Sequence, residues 1–343
     1  MAYTTINKSS LHMNTKLYTG TGSTASITGV GFQPDFSWIK VRNNTDNHVI
    51  FDAVRGATKR LEPNITDAET TISNELTAFN SDGFSIGGAD RVNRNNDTYT
   101  SWNFKANGAG SANTAGSINS TVSVNATAGF SIVKWTGTGS NATIGHGLAV
   151  APAMIIVKEL GTANDWVIYH KSLGGGKYIY LNQTSGEASA STVWQNYNPT
   201  SSVFYTGTSG LVSESQPYIA YCFAEKTGYC KIGNYTGNGL TDGPFIYTGF
   251  RPSFIMLKRA SGDGYEWLIV DDKRDTYNVT TNGLAPNTNV AESGSSYNSL
   301  DILSNGFKPR NAETRINNGN GNILYMAFGQ SLVGSNNVPC TAR

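Results

Sequence analysis

The sequence predicts an all-β protein made of three related antiparallel β-sandwich-like lobes with at most a short helix, and three observations carry that expectation. An apolar run at Ser253-Phe254-Ile255-Met256-Leu257-Lys258, a turn at Ser261-Gly262-Asp263-Gly264 and a second run at Trp267-Leu268-Ile269-Val270-Asp271 read as a strand pair. The same order of features occurs twice earlier. An aromatic-Thr-Gly turn (Tyr18-Thr19-Gly20, Trp135-Thr136-Gly137, Tyr235-Thr236-Gly237) is followed after 16, 17 and 17 residues by a proline (Pro34, Pro152, Pro252), and then by the two runs. Each copy also closes on an aromatic strand carrying Trp102 and Phe104, Tyr221 and Phe223, or Tyr325, Met326 and Phe328. Phe104 and Phe223 are 119 residues apart and Phe223 and Phe328 are 105 apart, so each unit has an ordinary domain size.

In chain order, residues 1–15 are a polar N-terminal arm, in which the spacing of Leu11, Met13 and Leu17 predicts an arm or edge strand. Residues 16–105 form the first repeat. Within it Thr66-Asp67-Ala68-Glu69 has the pattern of a capping box, and Ile72, Leu76 and Phe79 follow at helical spacing, which predicts one short helix. Residues 106–128, almost wholly Gly, Ala, Ser, Asn and Thr, have the composition of a loose linker. The second repeat, 129–226, opens on the alternating run Phe130-Ser131-Ile132-Val133-Lys134-Trp135. No soft linker separates it from the third, 227–330, so those two lobes are expected to pack together; 331–343 is a tail. The apolar repeat positions Trp38, Phe104, Ile156, Phe223, Ile255 and Phe328 are the expected core.

Whole-chain composition narrows the partners. The 343 residues are 38% hydrophobic and 11% aromatic, enough to build cores, but only 14% charged, which leaves a surface of hydroxyls and amides. A net charge of +1 provides no field to gather nucleic acid or an anionic membrane. No apolar run is long enough for a membrane-spanning helix, and the first residues lack the apolar centre of a signal peptide, so synthesis in a cytoplasm without export by the usual route is expected. Cys222, Cys230 and Cys340 make an odd count, which argues against a disulfide framework. Cys222 and Cys230 flank a turn and either face each other across a hairpin or are two small buried residues.

A search for catalytic chemistry returns little. There is no phosphate loop, no Gly-x-Ser-x-Gly and no histidine pair at helical spacing. His12, His48, His146 and His170 are scattered and read as surface or strand-end residues rather than metal ligands. Asp271-Asp272 is the best carboxylate pair and Asp52 sits at a comparable place in the first repeat, but neighbouring strand residues point to opposite faces, so a solvated turn is the expected reading. No enzyme, cofactor or metal is therefore predicted. The aromatics Trp135 and Tyr235, before Thr-Gly turns, and Trp194, Tyr197 and Tyr205, in a polar stretch, have the chemistry of glycan contact: ring faces beside amides and hydroxyls. Recurrence of an aromatic at one place in every unit argues instead for turn or core packing.

Several segments carry a resemblance. Trp38-Ile39-Lys40 with Phe51-Asp52-Ala53-Val54-Arg55-Gly56-Ala57, Ser81-Asp82-Gly83-Phe84, Ala151-Pro152-Ala153-Met154-Ile155-Ile156-Val157-Lys158, Ile219-Ala220-Tyr221-Cys222-Phe223-Ala224-Glu225 and Tyr247-Thr248-Gly249-Phe250-Arg251-Pro252 resemble the repeated β-rich modules of tailed-bacteriophage virion proteins, frequent in phages of marine bacteria. The resemblance covers about residues 16–330 and offers no catalytic residues to carry over. It implies jelly-roll or lectin-like lobes of concanavalin type, a place on the exposed virion surface, other virion proteins as partners and a homotrimer. A tail fibre or tail-associated adhesin that attaches to host surface glycan is the expected role, with a capsid decoration or head-fibre protein as runner-up. A glycan hydrolase on a lectin-like sandwich is the reading from another class, and the Glu-x-Asp-x-x-Glu strand motif of sandwich glucanases is absent.

Overall fold

In the strand Phe36–Val41, Phe36 and Trp38 turn to one side, Ile39 and Val41 to the other, and both faces are buried. Met154–Glu159 repeats the division, with Met154 and Ile156 against Ile155 and Val157, and Phe250–Arg259 does so with Phe254 and Met256 against Ile255 and Leu257. A strand covered on both faces must lie in the middle of layers, and the computed structural model, which describes residues 4–295 and 298–331, is built that way.

Each repeat has a large inner sheet in which four strands share one order: opening, closing, post-proline and return. These are Met13–Thr19, Thr98–Phe104, Phe36–Val41 and Val49–Asp52 in the first lobe. Phe130–Thr136, Pro217–Phe223, Met154–Glu159 and Val167–His170 follow in the second, and Cys230–Thr236, Asn322–Ser331, Phe250–Arg259 and Leu268–Asp271 in the third. The pairings are antiparallel and in one register: Phe36 faces Phe104, Met154 faces Phe223 and Phe254 faces Phe328. Pro34, Pro152 and Pro252 each stand two residues before the first member of these pairs, so they hold the same topological position.

A smaller outer sheet covers the second face of each inner sheet. It consists of Ala25–Thr28, Gly83–Ile86 and Leu76–Asn80 in the first lobe, Ala142–Gly145 and Val203–Thr206 in the second, and Ile246–Tyr247, Gly306–Pro309 and Leu300–Leu303 in the third. The three outer cores are separate, but the inner faces of all three large sheets share one core. At its centre the closing-strand phenylalanines meet: Phe104 lies 5.6 Å from Phe223 and 5.1 Å from Phe328, and those two are 6.0 Å apart between ring centroids. The lobes therefore stand around a threefold arrangement within one chain. The Thr-Gly turns have a matching cause, since a Cβ on Gly20, Gly137 or Gly237 would come within 2.1, 2.1 and 2.2 Å of the backbone oxygens of Arg94, Glu214 and Asn318.

The expected core residues Trp38, Phe104, Ile156, Phe223, Ile255 and Phe328 are all buried. The helix expected over residues 66–79 is absent, and Thr70–Thr71 and Leu76–Asn80 are strands instead. A register shift between Leu76 and Ala78 breaks the two-residue alternation and imitates helical spacing, while Glu69 is drawn to Arg55 at 3.2 Å rather than to a helix end. Among the described residues the α-helices are single turns, Asp90–Asn93, Ser191–Trp194 and Thr314–Asn317. Residues 106–128 are also no loose linker, because Ser111–Asn113 and Ser120–Asn125 extend the second inner sheet and Val122 is buried. Small side chains hid that alternation. Met13–Thr19 is the edge strand of the first sheet, and ahead of it Ile6 reaches the shared core. Cys222 and Cys230 are free thiols in different cores and do not face each other; Cys340 and the rest of the tail beyond Ser331 lie outside the described residues.

Because one core serves three sheets, the lobes are expected to unfold together, as a single calorimetric transition. Phe223→Ala should lower stability by about 3–5 kcal/mol in chemical denaturation, since the cavity opens where three rings meet. Three separate transitions, or a variant that melts like the parent, would refute the shared core.

Candidate functional site

The buried ionisable groups lie at the seams between lobes. Lys40, Lys158 and Lys258 stand six residues after Pro34, Pro152 and Pro252 and are fully buried. Each ammonium donates to a backbone carbonyl of a neighbouring lobe. Lys40 Nζ reaches Asn289 O of the third lobe (3.2 Å), Lys158 Nζ reaches Thr66 O of the first (3.0 Å), and Lys258 Nζ reaches Thr184 O of the second (3.1 Å). Carbonyls of the lysine's own lobe complete each cage: Val41 at 2.9 Å and Asn44 at 3.3 Å, Asn164 at 2.9 Å, and Tyr265. Burial lowers all three ammonium groups from 10.5 to about 8.

The same direction, first lobe to third, second to first and third to second, recurs at the strand ends. His48 Nε2 meets Ala285 O at 3.1 Å, Trp166 Nε1 donates to Glu62 O at 3.0 Å, and Trp267 Nε1 donates to Tyr180 O at 2.9 Å. Trp102 Nε1 donates to Asp271 Oδ2 (3.0 Å) and Tyr221 OH to Asp52 Oδ2 (2.8 Å) in that direction, whereas His170 Nε2 of the second lobe faces Tyr325 O of the third at 3.5 Å, in the opposite sense. Asp52 and Asp271 were expected at solvated turns, but both are buried. Asp52 pairs with Arg55 at 2.5 Å and Asp271 with Arg274 at 2.6 Å, with no side-chain exposure on any of the four. Burial works to raise the Asp271 carboxyl, yet the Arg274 charge and hydrogen bonds from Arg274 and Trp102 hold it below the usual carboxylate range. The second lobe departs from the pattern, with His170 and Leu173 where the others have Asp and Arg.

The histidines expected at the surface or at strand ends are mostly interior: His48, His146 and His170 are buried, His170 as the last residue of its strand, and burial depresses each, His170 to about 4. His48 is held neutral by accepting from Trp38 Nε1 at 3.0 Å while its other nitrogen meets Ala285 O. His146 meets Thr200 O of its own lobe at 3.1 Å, and the seam groups are engaged with one another or with backbone. Among the described residues no group of three or more His, Cys, Asp and Glu side chains is placed to hold a metal ion.

Of the five aromatics with glycan-contact chemistry, three are interior. Trp135 stacks on Tyr218 at 5.3 Å, Trp194 meets the edge of Tyr169 at 6.1 Å, and Tyr235 donates its hydroxyl to Ile316 O at 2.5 Å. Their recurrence thus reflects packing in the outer cores, where Tyr18 likewise stacks on Tyr99 at 5.0 Å. Tyr197, 57% exposed, and half-buried Tyr205 form a surface pair with centroids 5.0 Å apart. The reading of the sequence overlooked the lysines, although a lysine six residues beyond the proline in every copy was a signal of the same kind as the closing phenylalanine.

A family of domains of unknown function, DUF7483, matches residues 8–331. No curated protein and no solved structure matches the chain.

The seam lysines set the alkaline stability profile. Between pH 8 and 9 the unfolded chain keeps ammonium protons that the folded chain has released, so stability should rise with pH, by about 1.4 kcal/mol per unit for each full proton of difference. Burial raises the Cys222 and Cys230 thiols and the Tyr221 and Tyr229 hydroxyls, whose ionisation in the unfolded chain should reverse the trend above about pH 10. Below pH 6.5 the depressed His48 and His170 stay neutral in the fold while the unfolded chain protonates, so stability should fall on acidification. Urea titrations across pH measure this, with Lys158→Met flattening the rise from 8 to 9. A fall over that interval in the parent would contradict the buried ammonium groups.

Proposed function

We propose that this chain, which belongs to the DUF7483 family of domains of unknown function, is a non-enzymatic structural protein of a tailed-bacteriophage virion, exposed on the particle as a tail fibre or tail-associated adhesin. One observation carries the reading: the buried lysines, His48 and the Asp–Arg pairs bind lobe to lobe in a closed, directed ring instead of converging on an open reaction centre. Such a ring serves a rigid exposed body. The motif resemblance and the low charge of the surface point the same way. Other virion proteins are the proposed partners, with host surface glycan met at shallow surfaces such as the Tyr197–Tyr205 pair. A homotrimer, as the resemblance implies, would have to use surfaces other than the lobe seams, because those contacts already close within one chain.

Imaging intact particles should place the chain on the tail. Density on the capsid surface would move the assignment to a decoration or head-fibre protein, and absence from the particle would end the virion reading. Purified protein should release no reducing sugar from host envelope polysaccharide. Release that is lost in Asp272→Asn, a partly exposed position beside the buried pair, would instead establish a glycan hydrolase.

A further inference from the structure

A cleft of about 630 Å³ opens between a loop of the second lobe and the third lobe, with Thr184, Tyr265, Glu266, Asn298, Glu313 and Arg315 in its wall. Its origin can be read by comparing repeats. In the first lobe Leu61 faces Ile50, and in the third Leu284 bridges Ile269; Ile50 and Ile269 each stand two residues before the buried aspartate. Arg60 and Glu62 therefore correspond to Gly283 and Ala285. In the first lobe these side chains fill the space: Arg60 pairs with Glu62 at 3.3 Å and Glu75 at 2.6 Å, and Asn47 Nδ2 donates to Glu62 Oε1 at 2.9 Å. Arg91, second residue of the helix Asp90–Asn93, pairs there with Asp46 at 3.3 Å and with Glu62.

The third lobe keeps the pair and loses the filling. Arg315, second residue of Thr314–Asn317, pairs with Glu266 at 3.3 Å, but Ala285 brings no counterpart of the Glu62 carboxylate and the space before the arginine is open, while at Gly283 the place of the Arg60 side chain is taken by Asn298 and Leu268. Glu266 stands at the register position of Asn47, so the arginine's acid comes from the next position along, and its side chain is 44% exposed. The opening is also built. Asn298, 2% exposed, packs so closely over Gly283 that a Cβ there would lie 2.4 Å from its amide nitrogen. That nitrogen donates to Thr281 O and Ser293 O at 3.0 Å each, which turns the amide oxygen toward Arg315.

We propose that this cleft is a binding site for a neutral saccharide. Two carboxylates and one guanidinium give the wall a net negative charge, which disfavours phosphate, sialic acid and uronic acid. The carboxylates of Glu266 and Glu313 present acceptors to vicinal hydroxyls, and Arg315, held by Glu266 and Asn298, keeps N–H groups beyond those two contacts to donate. Val290, Ala291 and the ring of Tyr265 supply apolar surface for ring C–H faces, and the volume is that of ordinary small-molecule sites, roughly 300–1,000 Å³. The assignment deepens the reading of a glycan-meeting virion protein and rests on it for the biological source of the sugar.

Saturation-transfer NMR and calorimetry on the full chain test it, with maltotriose, mannotriose, galactotriose and chitotriose as neutral probes and sialyllactose as the anionic one. At least one neutral trisaccharide is expected to bind saturably and better than sialyllactose. Ala285→Glu, which restores the first lobe's side chain, should weaken that binding by about tenfold or more. Glu313→Gln, at the cleft rim, should also weaken it and decides the matter if Ala285→Glu does not fold; Tyr197→Ser should leave it unchanged. Failure of all four neutral probes, preference for sialyllactose, or parental affinity in Ala285→Glu and Glu313→Gln would overturn the proposal. Binding by a chain that is absent from phage particles would uphold the cleft and sink the virion reading, so the two fail separately.

Discussion

Everything in this molecule depends on an apolar face that no lobe can cover alone. Each inner sheet packs one side against its own outer sheet, and the other side, bearing Phe36, Trp38, Trp102 and Phe104 or their counterparts, finds cover only against the other two lobes. Burying one such aromatic is worth roughly 1.5–3 kcal/mol, so the shared core outweighs any single polar contact. Packing alone is non-directional, however, and three similar lobes could meet in several ways.

The polar seam contacts supply the direction. A donor on one lobe meets a carbonyl or carboxylate of the next, and because the contact is heterologous it closes a ring after three steps. Buried charges seldom add stability over apolar residues, but breaking one partner is costly, and that asymmetry favours the one arrangement in which all are matched. The second lobe shows the limit of the requirement. Its His170 and Leu173 replace the Asp–Arg pair, and Leu173 packs against the shared core instead. The lysine and Trp166 contacts of that lobe still hold the direction.

Repetition also makes function readable as departure from pattern. Where the first and third lobes keep the same arginine on the same short helix, the difference between a filled site and an open one comes down to Glu62 against Ala285. A strengthened seam conserves the ring, whereas an emptied corner costs only local contacts. The third lobe is thus where the scaffold has room to acquire a ligand.

The sequence by itself determined the all-β class and the repeated order of turn, proline and paired apolar runs, because strand alternation and an offset of 16 or 17 residues from the Thr-Gly aromatic to the proline are local quantities. It also placed the core positions correctly. The tertiary structure decided how the copies meet. Trp102 and Asp271 are 169 residues apart in the chain, as are Tyr221 and Asp52, so nothing near either aspartate in sequence signals that its carboxylate is buried and paired across a seam. The same distance hid the interior setting of His48 and His170. Local patterns failed at residues 66–79, where a bulge made a strand look helical, and at 106–128, where small side chains masked alternation. The cleft was beyond the sequence for a related reason: a small side chain at Ala285 becomes an opening only when Glu266, Asn298, Glu313 and Arg315 are folded around it.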